Sequence, residues 1–161
     1  MAEGEFVLMQ QHLEAALKLS SAAGADPAGD HDVYAMLVDG AAQQRDPVGL
    51  QKYAALAEES AARIDHKLHL AIAQRAWGVA HSLAGEYHQA EARFKQALDI
   101  FSAYPAPWQI GRTLFEMGEM ARLQMETEQA RDYYSRALSA FEELHAAPYA
   151  AQARAALEHL L

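Results

Sequence analysis

Residues 85–101 read GEYHQAEARFKQALDIF, and residues 125–141 read METEQARDYYSRALSAF. At an offset of 40, segments 86–101 and 126–141 share Glu86/Glu126, Gln89/Gln129, Ala90/Ala130, Ala97/Ala137, Leu98/Leu138 and Phe101/Phe141. Six identities in sixteen positions exceed the roughly one or two that such a composition gives by chance. Gly78/Gly118 and the aromatic pair Phe94/Tyr134 obey the same offset. A fainter copy, GEFVLMQQHLEAALKL, occupies residues 4–19, shifted by 81. A fixed period near forty on a helical background is the signature of stacked helix hairpins.

The background is helical by composition. Of 161 residues 36 are alanine, the strongest helix former and one that lets helix axes approach closely. No run alternates with the period of a strand. All five prolines, Pro27, Pro47, Pro105, Pro107 and Pro148, fall where helical periodicity breaks, as a residue barred from helix interiors must. With them as punctuation we read eight helices, at 4–21, 30–43, 47–63, 66–84, 87–103, 107–124, 127–145 and 148–160. The one long connection, SSAAGADPAGD from Ser20 to Asp30, is expected to loop over the surface. The expected fold is all-α, an α-α superhelix of antiparallel hairpins. It comprises an N-terminal half-repeat at 4–21, a divergent repeat at 30–64, repeats at 66–104 and 107–145, and a capping helix at 148–161.

Each copy has a packing logic. Gly78 and Ala90 are expected to face each other where the two helices of a hairpin come closest, while Phe94 and Leu98, one turn apart, fill the groove between them. Gly85 suits a left-handed turn at the end of the first helix, with Glu86 near the positive start of the second.

Residues Trp77 to Leu98, WGVAHSLAGEYHQAEARFKQAL, resemble a tetratricopeptide (TPR) motif. Gly78, Gly85, Tyr87, Ala90, Phe94 and Ala97 fall on its small and aromatic positions. In the next copy Gly118, Ala130, Tyr134 and Ala137 match, and Met125 replaces the turn glycine. In the preceding copy Val38 and Leu50 replace the glycine and the first alanine, and only Ala57 holds. The resemblance implies a right-handed solenoid that binds proteins. Phe141–Leu161, with PWQIGRTLFEMGEMARL before it, is also similar to the helical-repeat region of MalT-like and LuxR-type ATP-dependent transcription regulators. That likeness implies an inducer-sensing or adaptor arm, without the ATPase and DNA-binding motifs of those regulators.

Several functions lack their residues. A net charge of −9 opposes direct nucleic-acid binding. The absence of cysteine excludes disulfides, thiolate catalysis and cysteine-ligated zinc. The start MAEGEF shows no secretory leader and no apolar run approaches a membrane span, so a cytoplasmic protein is expected. No GxxxxGK[ST], GxGxxG or GxSxG motif occurs, and carboxylate pairs such as Glu58/Glu59 and Glu142/Glu143 diverge on helix surfaces. No catalytic activity is expected. His66 and His69 have the spacing of two metal ligands beside Asp65, but nothing in the sequence marks a third; we therefore expect no metal and no cofactor.

The remaining candidate is the concave groove lined by first helices. Arg75, Val79 and Ser82 from one repeat, with Arg112, Phe115, Glu119 and Arg122 from the next, point there and could grip a partner segment. The alternative is that the arginines pair with local Glu116, Glu119 and Glu126. Phe115, Met117, Met120, Tyr133 and Tyr134 are expected mainly in the core, with a hydrophobic ligand pocket as the alternative. The first helix carries two apolar stripes. One is Phe6, Met9, Leu13, Leu17 and Ser20; the other is Leu8, His12, Ala15 and Leu19. The second stripe packs on the following loop or on helix 30–43, or pairs with another copy in a homodimer, or met a preceding helix in a longer protein. On the last helix Tyr149, Ala153, Ala156, Leu157 and Leu160 are expected inward, with Gln152, Arg154 and Glu158 outward. The period carries a stability prediction: Ala90→Leu overpacks the hairpin and costs about 1–3 kcal/mol, read as a lowered melting temperature.

Overall fold

The computed structural model describes residues 3–22 and 30–160. Among the described residues eight helices follow one another: α1 (Glu3–Ala22), α2 (Asp30–Gln44), α3 (Pro47–Arg63), α4 (Lys67–Leu83), α5 (Tyr87–Ala103), α6 (Pro107–Leu123), α7 (Thr127–Glu143) and α8 (Ala147–Glu158). No strand occurs among the described residues. The expected boundaries lie within two residues of these. The expected loop from Ser20 to Asp30 begins later, because α1 runs on to Ala22; its remainder to residue 29 lies outside the described residues. Each helix packs on the next, and α2, α4 and α6 also touch in series, so the hairpins stack as a solenoid.

The sequence period of 40 divides in two. Helices α3 to α8 begin at 47, 67, 87, 107, 127 and 147, and α3 to α7 each run 17 residues. Connectors of three residues, two between α2 and α3, join the helices from α2 onward, and all but the α5–α6 connector use the same hydrogen bonds. Gly85 N–H donates to Ser82 C=O (3.1 Å) and Glu86 N–H reaches back to His81 C=O (2.8 Å), the pattern that satisfies orphan carbonyls at a helix end. The last residue but one of the connector must take a positive φ, and Gly85 does so at 77°. Arg45, Asp65, Met125 and His145 adopt the same conformation at 51–61° despite carrying side chains. Pro105 cannot. Its ring holds φ negative and it has no N–H, so of the two bonds that connector keeps the one from Ala106 N–H to Phe101 C=O (3.2 Å). Pro47, Pro107 and Pro148 sit in first helical turns, where a missing N–H costs nothing.

Aromatic side chains on second helices fill spaces that small residues on first helices leave. Phe94, Phe101, Tyr134 and Phe141 are at most 1% exposed. Gly78 faces the Phe94 ring rather than the expected Ala90, because the glycine makes room for the aromatic: a Cβ on Gly78 would stand 2.5 Å from the ring, and one on Gly118 2.6 Å from Tyr134. In the first hairpin the volumes are exchanged. Val38 takes the glycine position and Ala54 the aromatic one, both fully buried. Leu13 and Leu17 of α1 join this core, and Met9 packs over Gly40. Tyr53 and Lys52 on α3 bind Glu14 on α1, Lys52 Nζ at 2.7 Å, and these bonds hold the Glu14 carboxyl down to about 2. Thus α2 and α3 cover the first stripe of α1. Of the second stripe, Leu8 is 54% and Leu19 71% exposed, and His12 and Ala15 are exposed as well. On α8, Ala153 is buried, Tyr149, Ala156, Leu157 and Leu160 are half-buried against α6 and α7, and Gln152, Arg154 and Glu158 are exposed.

Met125 is 88% exposed, so its side chain contributes little packing to offset its left-handed backbone. Met125→Gly is expected to stabilise the chain by about 1 kcal/mol in chemical denaturation.

Candidate functional site

Three first helices meet around one carboxylate. Asp39 on α2 accepts from Arg75 Nη2 on α4 through Oδ1 (2.7 Å) and from Arg112 Nη1 on α6 through Oδ2 (2.6 Å). Arg75 Nη1 donates to Gln109 Oε1 at 2.5 Å, and the guanidinium lies 5.6 Å from the Phe101 ring centroid. Burial pushes Arg75 down to about 10, with Arg112 adding repulsion and Asp39 opposing it; the side chain remains a cation at neutral pH. Burial alone would raise the Asp39 carboxyl, but the two guanidiniums hold it below its ordinary value.

This bridge closes the inner face over α4. Arg75 and Val79 are 1% exposed and Ser82 is 4% exposed, so these three expected groove residues lie within the stack, where no partner touches them. The helices curve tightly enough for α2 to meet α6 across α4, which a list of inward-pointing residues does not reveal. Arg112, at 8%, shows only its edge.

The face opens further along. Arg45, in the turn that ends α2, donates to Glu116 Oε2 (3.0 Å) and lies 3.2 Å from Glu119 Oε2. Arg122 Nη2 also reaches Glu119 (3.0 Å), and the Tyr134 hydroxyl donates to its other oxygen. Burial raises the Glu116 carboxyl. Burial also works against charge on Glu119, but the bonds from Arg122 and Tyr134 keep it low. Alongside lies a trough in two parts. The inner hollow, about 110 Å³, is bounded by Arg112, Glu116, Phe141 and Tyr149; the outer, about 470 Å³, by Glu119, Arg122, Ala155, Ala156 and His159. Arg45, Phe115 and Gln152 line both.

The trough therefore takes in Arg112, Phe115, Glu119 and Arg122 of the expected set and adds Arg45, Tyr149, Gln152 and His159. The period could have found the residues on α8 and its C-cap, since Gln152, Ala155 and His159 stand 40 residues after Arg112, Phe115 and Glu119. Asp39 holds the equivalent place in α2, 40 before Val79 and 80 before Glu119.

A second polar cluster gathers at the other end of α2. His31, His66 and His69 each offer a nitrogen within 4.8 Å of those of the other two. The His66 and His69 rings stack at 3.9 Å, and Asp32 lies beside His69 and His31. Burial, then the charge of neighbouring His66, lowers the His69 pKa.

The chain matches no protein-family model and no curated protein sequence. No helix among the described residues is long and apolar enough to cross a membrane.

The bridge sets a stability prediction. Asp39→Asn leaves the buried Arg75 without a counter-charge and is expected to cost about 3–5 kcal/mol. Asp39→Leu combined with Arg75→Met, which removes the most buried pair of charges and leaves Arg112 with nearby Glu116, should lie closer to wild type in urea titration. Because the folded carboxyl titrates below its unfolded value of 3.8, its stabilisation is complete above that pH and is lost as pH falls through the folded pKa.

Proposed function

We propose that this chain is a non-enzymatic recognition module, a scaffold, adaptor or regulatory arm acting in the cytoplasm, that takes a short segment of a partner protein into the trough between α6, α8 and the end of α2. The observation that carries this reading is the trough itself: an aromatic floor at Phe115, a cationic rim at Arg45 and Arg122, and amide and imidazole groups on α8. The likeness of residues 77–98 to a tetratricopeptide repeat supports the same reading. Apolar contact with a ring of oriented polar groups is what recognition of a peptide segment uses. Here the rim cations already hold Glu116 and Glu119, so a partner carboxylate must exchange with them. Such exchange adds selectivity more than affinity.

The outer hollow also lies in the size range of small-molecule sites, which favours ligand sensing by a signalling or transcription regulator as the second reading.

A displayed peptide library panned on the chain tests the first reading. Enriched peptides should bind wild type and lose about tenfold or more in affinity with Phe115→Ala or Arg122→Glu. A Gln96→Glu control on the exposed face of α5 should bind as wild type. Peptides indifferent to both trough variants would reject the reading. Stabilisation by a metabolite, lost in Phe115→Ala, would instead support the second.

A further inference from the structure

The histidine cluster at the opposite end of α2 from Arg45 is not part of the trough. His31 and Asp32 belong to the first turn of α2; His66 is the N-cap of α4, and His69 lies in its first turn. Two short stretches of chain thus converge there, separated in sequence by the rest of α2 and by α3.

The spacing of the donors is informative. Atoms bound at about 2.0–2.2 Å around a tetrahedral ion stand about 3.3–3.6 Å from one another. Asp32 Oδ1 lies 3.4 Å from His69 Nε2 and 3.7 Å from His31 Nε2. These distances are long for hydrogen bonds and close to those across a coordination shell. His31 and His69 are largely buried, at 18% and 17% exposure, whereas Asp32 is 68% exposed. His69 Nδ1 is buried with no hydrogen-bond partner. Two helix N-termini, with their partial positive charge, point into this region, and Asp30 and Asp32 in the first turn of α2 offset it.

We infer that His31, His66 and His69 form a site for one borderline divalent metal ion, with Zn²⁺ as its representative, and that the exposed Asp32 side chain beside His31 and His69 swings in as the fourth ligand. Three imidazoles and one carboxylate suit zinc, cobalt or nickel and do not suit calcium or magnesium, which take oxygen. The ion fastens the start of α2 to the start of α4, and its solvent-facing Asp32 position is the one that water or an outside ligand can share.

Binding has a local cost that gives it a signature. His66 Nδ1 accepts the His69 amide N–H (3.2 Å) and so caps α4. Ligation through Nδ1 takes that lone pair directly; ligation through Nε2 moves the ring proton onto Nδ1. Either way the cap is lost, and the His69 amide resonance must shift on metal uptake.

The test uses the untagged full chain, stripped with EDTA. Calorimetric titration with Zn²⁺ and visible absorption with Co²⁺ are expected to show one equivalent, the intense bands of tetrahedral Co²⁺, a raised melting temperature and a shifted His69 amide. Changing an outer-shell partner of a metal site typically costs 10–100-fold in affinity, so loss of a ligand in His31→Gln or His69→Gln should cost at least about tenfold. His66→Ser, whose hydroxyl can still cap α4, should weaken binding while the metal-free chain keeps its wild-type melting temperature. Absence of binding at millimolar Zn²⁺ would overturn the inference. So would wild-type affinity in a His31→Gln/His69→Gln double variant, which would place the metal on other histidines.

Discussion

Asp39 is the carboxylate on which the curvature of the stack depends. One side chain on α2 answers a guanidinium from each of the next two first helices, at 2.7 and 2.6 Å. Apolar packing between hairpins tolerates some sliding, because greasy surfaces are not directional. A carboxylate shared by two arginines is directional, and Arg75 has nowhere else to put its charge at 1% exposure. Once α2, α4 and α6 are locked at this point, the inner face is shut over α4. Arg45 is delivered to Glu116 and Glu119, and the trough is left open only where α8 takes over. Closed and open parts of one surface follow from the same bridge.

Much of the fold was legible from residues at a separation of 40, because the hairpin interior leaves few options. An aromatic ring needs a glycine or alanine across from it, and Gly78 with Phe94 and Gly118 with Tyr134 display that rule. The first hairpin reads faintly for a physical reason. Val38 and Ala54 divide a similar volume the other way round, so a comparison of identities finds two mismatches where the packing finds a fit. The connectors were only half legible. Gly85 announces its backbone conformation, whereas Arg45, Asp65, Met125 and His145 take it without the expected residue type.

The site was less legible than the fold. Register along a helix shows which side chains face inward, and Arg112, Phe115, Glu119 and Arg122 do line one trough. It does not show how sharply successive hairpins turn, and that turn decides whether an inward residue meets a partner or a neighbouring helix. Arg75, Val79 and Ser82 fell on the wrong side of that distinction. The histidine cluster was hidden in another way. His31 and His66 lie on different helices, 35 residues apart in sequence, and no local spacing links them.

The uniform unit of seventeen helical residues and three connecting ones constrains how such a chain can change in length. One residue added inside α4 would turn everything beyond it by about 100° around the helix axis and carry Arg112 away from Asp39. Gene changes that copy or delete a whole hairpin leave that phase untouched. The architecture is thus brittle to small indels and permissive to large ones, so related chains should differ by entire hairpins or within connectors, and seldom by a residue or two inside a helix.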